Sequence, residues 1–192
     1  MVWYRSIKKQ TTDDLLKLSI GWLKKHKYVQ ENTKLNGEIY WKRVTDGVSS
    51  NIIACSKYLS NFIGENRYIE LSYIYNGENI NCKIPIEVGN PNYGGKRYWF
   101  VCPRCGRKVA FLYLRKKFLC RHCHNLSYKT QQLGFSDRML AMSRKYRNKV
   151  ITNESKKRWL HWTTFDKIMS KSEYYEELSF IILYKKLLKL LN

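Results

Sequence analysis

Four segments in the first half of the chain alternate apolar and polar residues with the period of two that half-buried strands show. They are "GEIYWKRV", "VSSNIIACSK", "RYIELSYIY" and "NINCKIPIEV". The last two flank "YNGE", where Asn76-Gly77 tolerates the positive φ of a tight hairpin turn. An antiparallel sheet of about four strands is the expected product.

Ahead of these strands stands "TTDDLLKLSIGWLKKHKYV". Thr11 or Thr12 can cap a short helix whose first turn holds Asp13 and Asp14. Ser19 can cap a second, with Trp22 and Leu23 facing inward. Two short helices of this kind fit the edge of a mixed domain better than a helix-turn-helix.

The second half changes period. "SDRMLAMSRKYRNKV" predicts a helix capped by Ser136, with Met139, Met142, Tyr146 and Val150 on one face and Arg138, Lys145 and Lys149 on another. "ITNESKKRWLHW" is a basic connector, and "TTFDKIMSK" begins another short helix. The last helix, "EYYEELSFIILYKKLLKLLN", carries Phe180, Leu183, Tyr184, Leu187, Leu188 and Leu191, with acids at its start and lysines at its end. It is expected to pack on its own core or on a copy of itself.

The fold class is therefore α+β: a mixed N-terminal region with an antiparallel sheet, a four-cysteine zinc ribbon and a helical C-terminal tail. The expected boundaries are 1–90, 91–130 and 131–192, with "EVGNPNYGGKRYW" supplying the turn chemistry at the first junction.

The ribbon rests on "CPRCGRKVAFLYLRKKFLCRHC". Cys102 and Cys105 form one CxxC pair, Cys120 and Cys123 the other, at zinc-ribbon spacing. Between them "KVAFLYL" and "KFLC" have room for two strands joined at Arg115-Lys116-Lys117. That hairpin sets the second pair beside the first, and four thiolates complete a tetrahedron. Gly106 suits the sharp turn after the first pair. Iron also accepts four thiolates and is the second choice of metal. Four cysteines leave no open position, so the expected Zn²⁺ is structural rather than catalytic. His122 and His124 are expected beside the site, donating hydrogen bonds or facing solvent. Cys55 and Cys82 are expected as buried free thiols.

The stretches "NYGGKRYWFVCPRCGRKVAFLYL", "FLCRHCHNLSYKTQ" and "DRMLAMSRKYRNKV" resemble a set of uncharacterised bacterial zinc-ribbon proteins, as do "TTDDLLKLSIGWLKKHKYV" and "LHWTTFDKI". The resemblance covers about residues 11–168. It implies a zinc ribbon between a mixed N-terminal region and a helical tail, and it implies no activity.

Charge adds a partner. The chain holds 36 Lys+Arg against 15 Asp+Glu, a net charge of +21. Residues 96–162 alone hold 18 basic and 2 acidic residues, Asp137 and Glu154, so the excess is local rather than a general lysine bias. Polyanions release counterions to such a surface, which makes nucleic acid the expected partner, DNA ahead of RNA. The candidate contacts are Lys96, Arg97, Arg104, Arg107, Lys108, Arg115, Lys116, Lys117, Arg121 and Lys129 around the ribbon. Arg138, Arg144, Lys145, Arg147 and Lys149 continue them on the following helix. Interleaved aromatics, among them Tyr98, Trp99, Phe100, Tyr113, Phe118 and Tyr128, are divided between core and base stacking.

Three functions follow, in this order: a non-enzymatic nucleic-acid-binding protein; an adaptor that docks a protein partner, or a copy of itself, through the ribbon or the last helix; and a nuclease with a structural zinc. The third would need a carboxylate cluster that residues 96–162 lack, and "HCHN" does not have HNH spacing. No secretory signal or spanning segment is evident, so a cytoplasmic protein with no membrane partner is expected.

Overall fold

The computed structural model describes residues 8–45, 49–92, 94–152 and 155–191. Tyr93 of the YGG stretch and Glu154 of the connector lie outside them. The chain is α+β and divides into two compact units, Met1–Ser127 and Tyr128–Asn192.

In the first unit the four expected strands form: β2 (Lys34–Thr45), β3 (Ser49–Asn61), β4 (Tyr68–Tyr75) and β5 (Glu78–Gly89). β6 (Arg97–Val101) and β7 (Lys108–Val109) extend them into a six-stranded antiparallel meander in sequence order. Alternation places Ile80, Cys82, Ile84 and Ile86 of β5 in the core while their neighbours face outward. The β4–β5 turn holds Asn76 at φ 50° and Gly77 at φ 81°, the left-handed pair that Asn-Gly supplies.

The segment after Thr11 departs from expectation. The Asp14 carboxylate accepts from the Thr11 backbone N–H at 2.7 Å and from its hydroxyl at 2.8 Å, closing a turn instead of capping a helix. The chain then runs extended as β1 (Leu16–Ser19), paired antiparallel with β8 (Phe111–Leu114) of the cysteine module. This long-range pairing satisfies the backbone that a helix would otherwise have satisfied locally. Ser19 does cap α1 (Ile20–Lys25), accepting from Trp22 N–H at 3.3 Å, and Leu23 is buried as expected. Trp22 instead lies on the surface, stacked on Tyr28 at 5.0 Å.

Strand β8 also pairs with β9 (Phe118–Leu119), completing a three-stranded sheet β1-β8-β9. The continuous strand expected over "KVAFLYL" is divided at Ala110, with β7 in one sheet and β8 in the other. Ala110 itself accepts from Ile20 N–H at 3.1 Å. The two sheets share one core. Phe118 is fully buried between Trp41, with ring centroids 6.0 Å apart, and Tyr73, edge-on at 5.5 Å. The register shifts between Trp41 and Lys42, which pair with Ala54 and Ile52, so the extra residue and the bulge lie in β3; the Trp41 indole N–H donates to Lys17 O of β1.

The second unit contains α2 (Lys129–Gln132), α3 (Phe135–Val150), a small hairpin of β10 (Ile151–Thr152) and β11 (Ser155–Lys156), and α4 (Trp162–Leu191). Helix α3 starts one residue before Ser136, with Gly134 at the cap. Its most buried positions are Ser143 and Val150, while Met139, Met142 and Tyr146 are half-buried. The two C-terminal helices expected from sequence are one helix of 30 residues, because Lys171-Ser172-Glu173 contains no breaker and Ser172 packs inward. Ser136 meets Ser179 and Ser143 meets Ser172, so α3 and α4 run antiparallel.

Replacing Phe118 by Ala should cost about 3–5 kcal/mol. Because Phe118 belongs to one sheet and its ring packs on the other, thermal denaturation should show tryptophan fluorescence and β-sheet circular dichroism shifting down together; separate transitions would show that the sheets do not share a core.

Candidate metal centre

Four thiols converge at the junction of the two sheets. Cys102 follows β6 and Cys105 lies in the turn toward β7; Cys120 follows β9 and Cys123 lies in the next turn. Their sulfurs all lie within 4.8 Å of one another, so together they could hold a metal ion. Two distances between the pairs, Cys102 to Cys123 at 3.9 Å and Cys105 to Cys120 at 3.7 Å, suit a tetrahedron. For thiolates bound at about 2.3 Å, the edge of such a tetrahedron is about 3.8 Å.

Both turns follow from local chemistry. In the first, Cys102 N–H donates to Arg107 O at 3.0 Å and Gly106 N–H to Cys102 O at 2.9 Å. Gly106 sits at φ 68°, where an L side chain is strained. In the second, His124 N–H takes the place of Gly106 N–H, donating to Cys120 O at 3.2 Å, and Asn125 adopts the left-handed φ of 54° one residue later. Asparagine tolerates that region, so the second turn needs no glycine.

Backbone amides point at the sulfurs. Cys120 N–H lies 3.4 Å from the Cys102 sulfur, and Cys123 N–H 3.5 Å from that of Cys120. Burial opposes ionisation of Cys102, but the amides of Cys120, Arg104 and Cys105 hold its pKa down to about 7. Burial pushes Cys120 up. Cys123 is pushed up to about 12, by burial first and then by hydrogen bonds with the sulfurs of Cys105, Cys120 and Cys102. One thiolate in this cluster therefore discourages the next, and a bound cation is what would favour all four.

The histidines stand outside the donor set. His124 Nε2 lies 2.9 Å from Tyr113 O and 3.1 Å from Lys117 O. Both partners are acceptors, so Nε2 carries the proton and bridges the two ends of the β8–β9 hairpin. His122 is exposed beside Arg121, whose charge lowers its pKa. Cys82 is buried as expected, whereas Cys55 is exposed.

The candidate cations are distributed less simply than their order in the chain. Three form ion pairs with acids of the N-terminal strands and loops: Lys96 with Glu31 at 2.5 Å, Lys108 with Glu87, and Lys116 with Glu78 at 2.9 Å. Arg115 donates to Gln10, Arg104 to Cys123 O and Arg121 to Leu126 O. Arg107 and Lys117 are exposed, with no ion pair to an acid among the described residues. In the second unit Lys129, Arg144 and Lys145 are exposed; Arg138 donates to Leu133 O, Arg147 pairs with Glu176, and Lys149 lies over the Tyr146 ring.

Of the aromatics, Tyr98, Phe100, Tyr113 and Phe118 are core, Trp99 is half-buried and Tyr128 is exposed. A feature not expected from sequence is a recess of about 310 Å³ between α1, β6 and β8. Lys24, Lys96 and Arg97 line it together with Tyr98, Trp99 and Phe111. The Arg97 guanidinium lies 4.1 Å from the Trp99 ring centroid, Lys24 4.7 Å from that of Tyr98, and Lys17 5.0 Å from that of Phe111. Phe111 lies inside the cysteine module, but nothing in its own sequence indicates that α1 would bring Lys24 beside it.

No family model, curated protein or solved structure matches the chain. Among the described residues, no helix is long and apolar enough to cross a membrane.

Two outcomes check the centre. Elemental analysis of the purified chain should find one metal ion per chain, abolished by Cys120→Ser; because binding must displace thiol protons, affinity should fall as pH drops from 7 to 5. His124→Ala should lower unfolding stability by about 1 kcal/mol without removing the metal, since it deletes a hairpin bridge and no ligand.

Proposed function

We propose that the protein binds nucleic acid, DNA before RNA, and that a zinc ion in the four-cysteine centre holds the binding surface in shape without taking part in chemistry. Zinc is preferred over iron because paired CxxC turns on short hairpins are its usual structural frame. With four protein thiolates as ligands, no position is left for a reacting water.

The observation that carries the nucleic-acid proposal is the recess beside α1. Every charged side chain lining it is a cation, and three aromatic rings lie among them. Phosphates would meet Lys24 and Arg97, and the faces of Phe111 and Trp99 offer apolar surface to sugar or base. Arg107 and Lys117 extend the positive surface on the ribbon. Lys96, Lys108 and Lys116 contribute less net field, because a carboxylate lies against each. Their pairs are solvent-exposed and individually weak, so a phosphate can compete for the lysine.

The test is a fluorescence titration against double-stranded DNA, single-stranded DNA and RNA at two salt concentrations. If about 6–10 phosphates are engaged, affinity should fall by about 10³–10⁵ between 50 and 200 mM salt. Lys24→Ser with Arg97→Ser should flatten the slope of log affinity against log salt by about 2. Serines at Arg115, Lys116 and Lys117 should flatten it less, since none of the three lines the recess. Salt-independent association, or none at 50 mM salt, overturns the proposal; iron in the purified chain overturns the choice of zinc.

A further inference from the structure

Helix α4 is longer than its partner. Thirty residues rise about 45 Å and the sixteen of α3 about 24 Å. The hairpin closes at Ser143 and Ser172, where each hydroxyl is buried and the two oxygens are 3.0 Å apart. It ends at Ser136 and Ser179, next to the first residue of α3. Beyond that level α4 continues for twelve more residues. Eight of them, between Phe180 and Leu191, are large apolar side chains left 42–82% exposed. Monomers rarely leave a contiguous apolar patch of more than a few hundred Å² in water.

The exposed residues have an order. The face of α4 turned toward α3 carries Ser172, Tyr175 and Ser179. On the opposite side the helical repeat places Tyr174, Glu177, Ile181, Tyr184, Leu188 and Leu191, spaced alternately by three and four residues. That is the heptad seam by which two helices pack against one another. All six are exposed.

Charge selects the occupant and its direction. Glu173, Glu176 and Glu177 stand 8, 5 and 4 residues before Ile181, and Lys185, Lys186 and Lys189 stand 4, 5 and 8 residues after it. A second α4 running antiparallel, centred on Ile181, puts acids and lysines at the same levels throughout. A parallel copy would set like against like. Glu176 is already held by Arg147 in its own hairpin, at 2.9 Å, but Glu177 lies in the seam and Lys185 flanks it. An anionic membrane surface would attract only the lysine end and repel the acidic one.

We propose that α4 is a homodimerisation helix, and that two copies of the chain join through an antiparallel pair of α4 helices with the two-fold axis at Ile181. The same patch serves both copies, so the contact closes at two and does not propagate into fibres. The dimer forms with or without nucleic acid.

Sedimentation velocity on the full chain tests it, at concentrations up to about 100 μM, where a contact of this size would assemble. The wild type should be dimeric. Glu177→Lys alone and Lys185→Glu alone should each weaken the dimer about tenfold, because each makes two charged contacts repulsive by symmetry. The double variant should recover to within about threefold of wild type. Ile181→Asp should give a monomer, with circular dichroism verifying that helix content is retained. A wild type that stays monomeric throughout overturns the proposal, including one that sediments instead with phosphatidylcholine–phosphatidylglycerol vesicles. A dimer indifferent to either charge reversal overturns the antiparallel arrangement, since a parallel pair already sets like charges together.

Discussion

Four sulfurs within 4.8 Å form the constraint on which the first unit depends. Thiols packed this closely resist ionising together, so the arrangement is stable as a thiolate cluster only around a cation. The turns that aim them are short and use a positive φ at Gly106 and Asn125. Strand β6 leads into the first pair and β9 into the second. Phe118, two residues before Cys120, is carried into the core between Trp41 and Tyr73. Tyr73 also donates to Lys116 O, fastening the hairpin tip to β4. The N-terminal strands and the cysteine module thus share one apolar interior.

That shared interior changes the electrostatics. In the chain, nearly all the acids stand apart from the cations of residues 96–162. In space, Glu31, Glu78 and Glu87 come back to meet Lys96, Lys116 and Lys108. The folded unit offsets its most concentrated repulsion without giving up its positive balance, because exposed pairs of this kind bind weakly and can be exchanged. What remains is positive surface interleaved with rings: Arg97 on Trp99, Lys24 on Tyr98 and Lys17 on Phe111.

The second unit follows a different packing rule. Its two long helices approach through buried serines that share the face of α3 holding Met139, Tyr146 and Val150. Ser172 donates to Ser143 O at 2.9 Å, and Tyr146 stacks on Tyr175 with an interplanar angle of 5°. Small hydroxyl side chains permit close approach while satisfying their own polar atoms. Helix α4 runs twelve residues past this hairpin and leaves large apolar residues there uncovered, and it is this surplus that points to a second copy.

Signals carried by adjacent residues were legible in the sequence. Period-two alternation marked β2 to β5, Asn76-Gly77 marked their tight turn, Ser19 marked the start of α1, and two CxxC pairs marked the cysteine cluster. Each works through a few neighbouring atoms: a hydroxyl on an amide, a tolerated φ, two sulfurs on one turn. Tertiary structure decided the rest. Residues 16–19 became a strand because β8 offered a partner, and "KVAFLYL" was divided at Ala110 because its two ends pair in different sheets. Buried serines join the expected face of α3 in the α3–α4 contact, and three lysines around the cysteine module gained acidic neighbours from strands and loops far back in the chain. Those outcomes depend on which distant segment arrives alongside, and no local pattern encodes the identity of that neighbour.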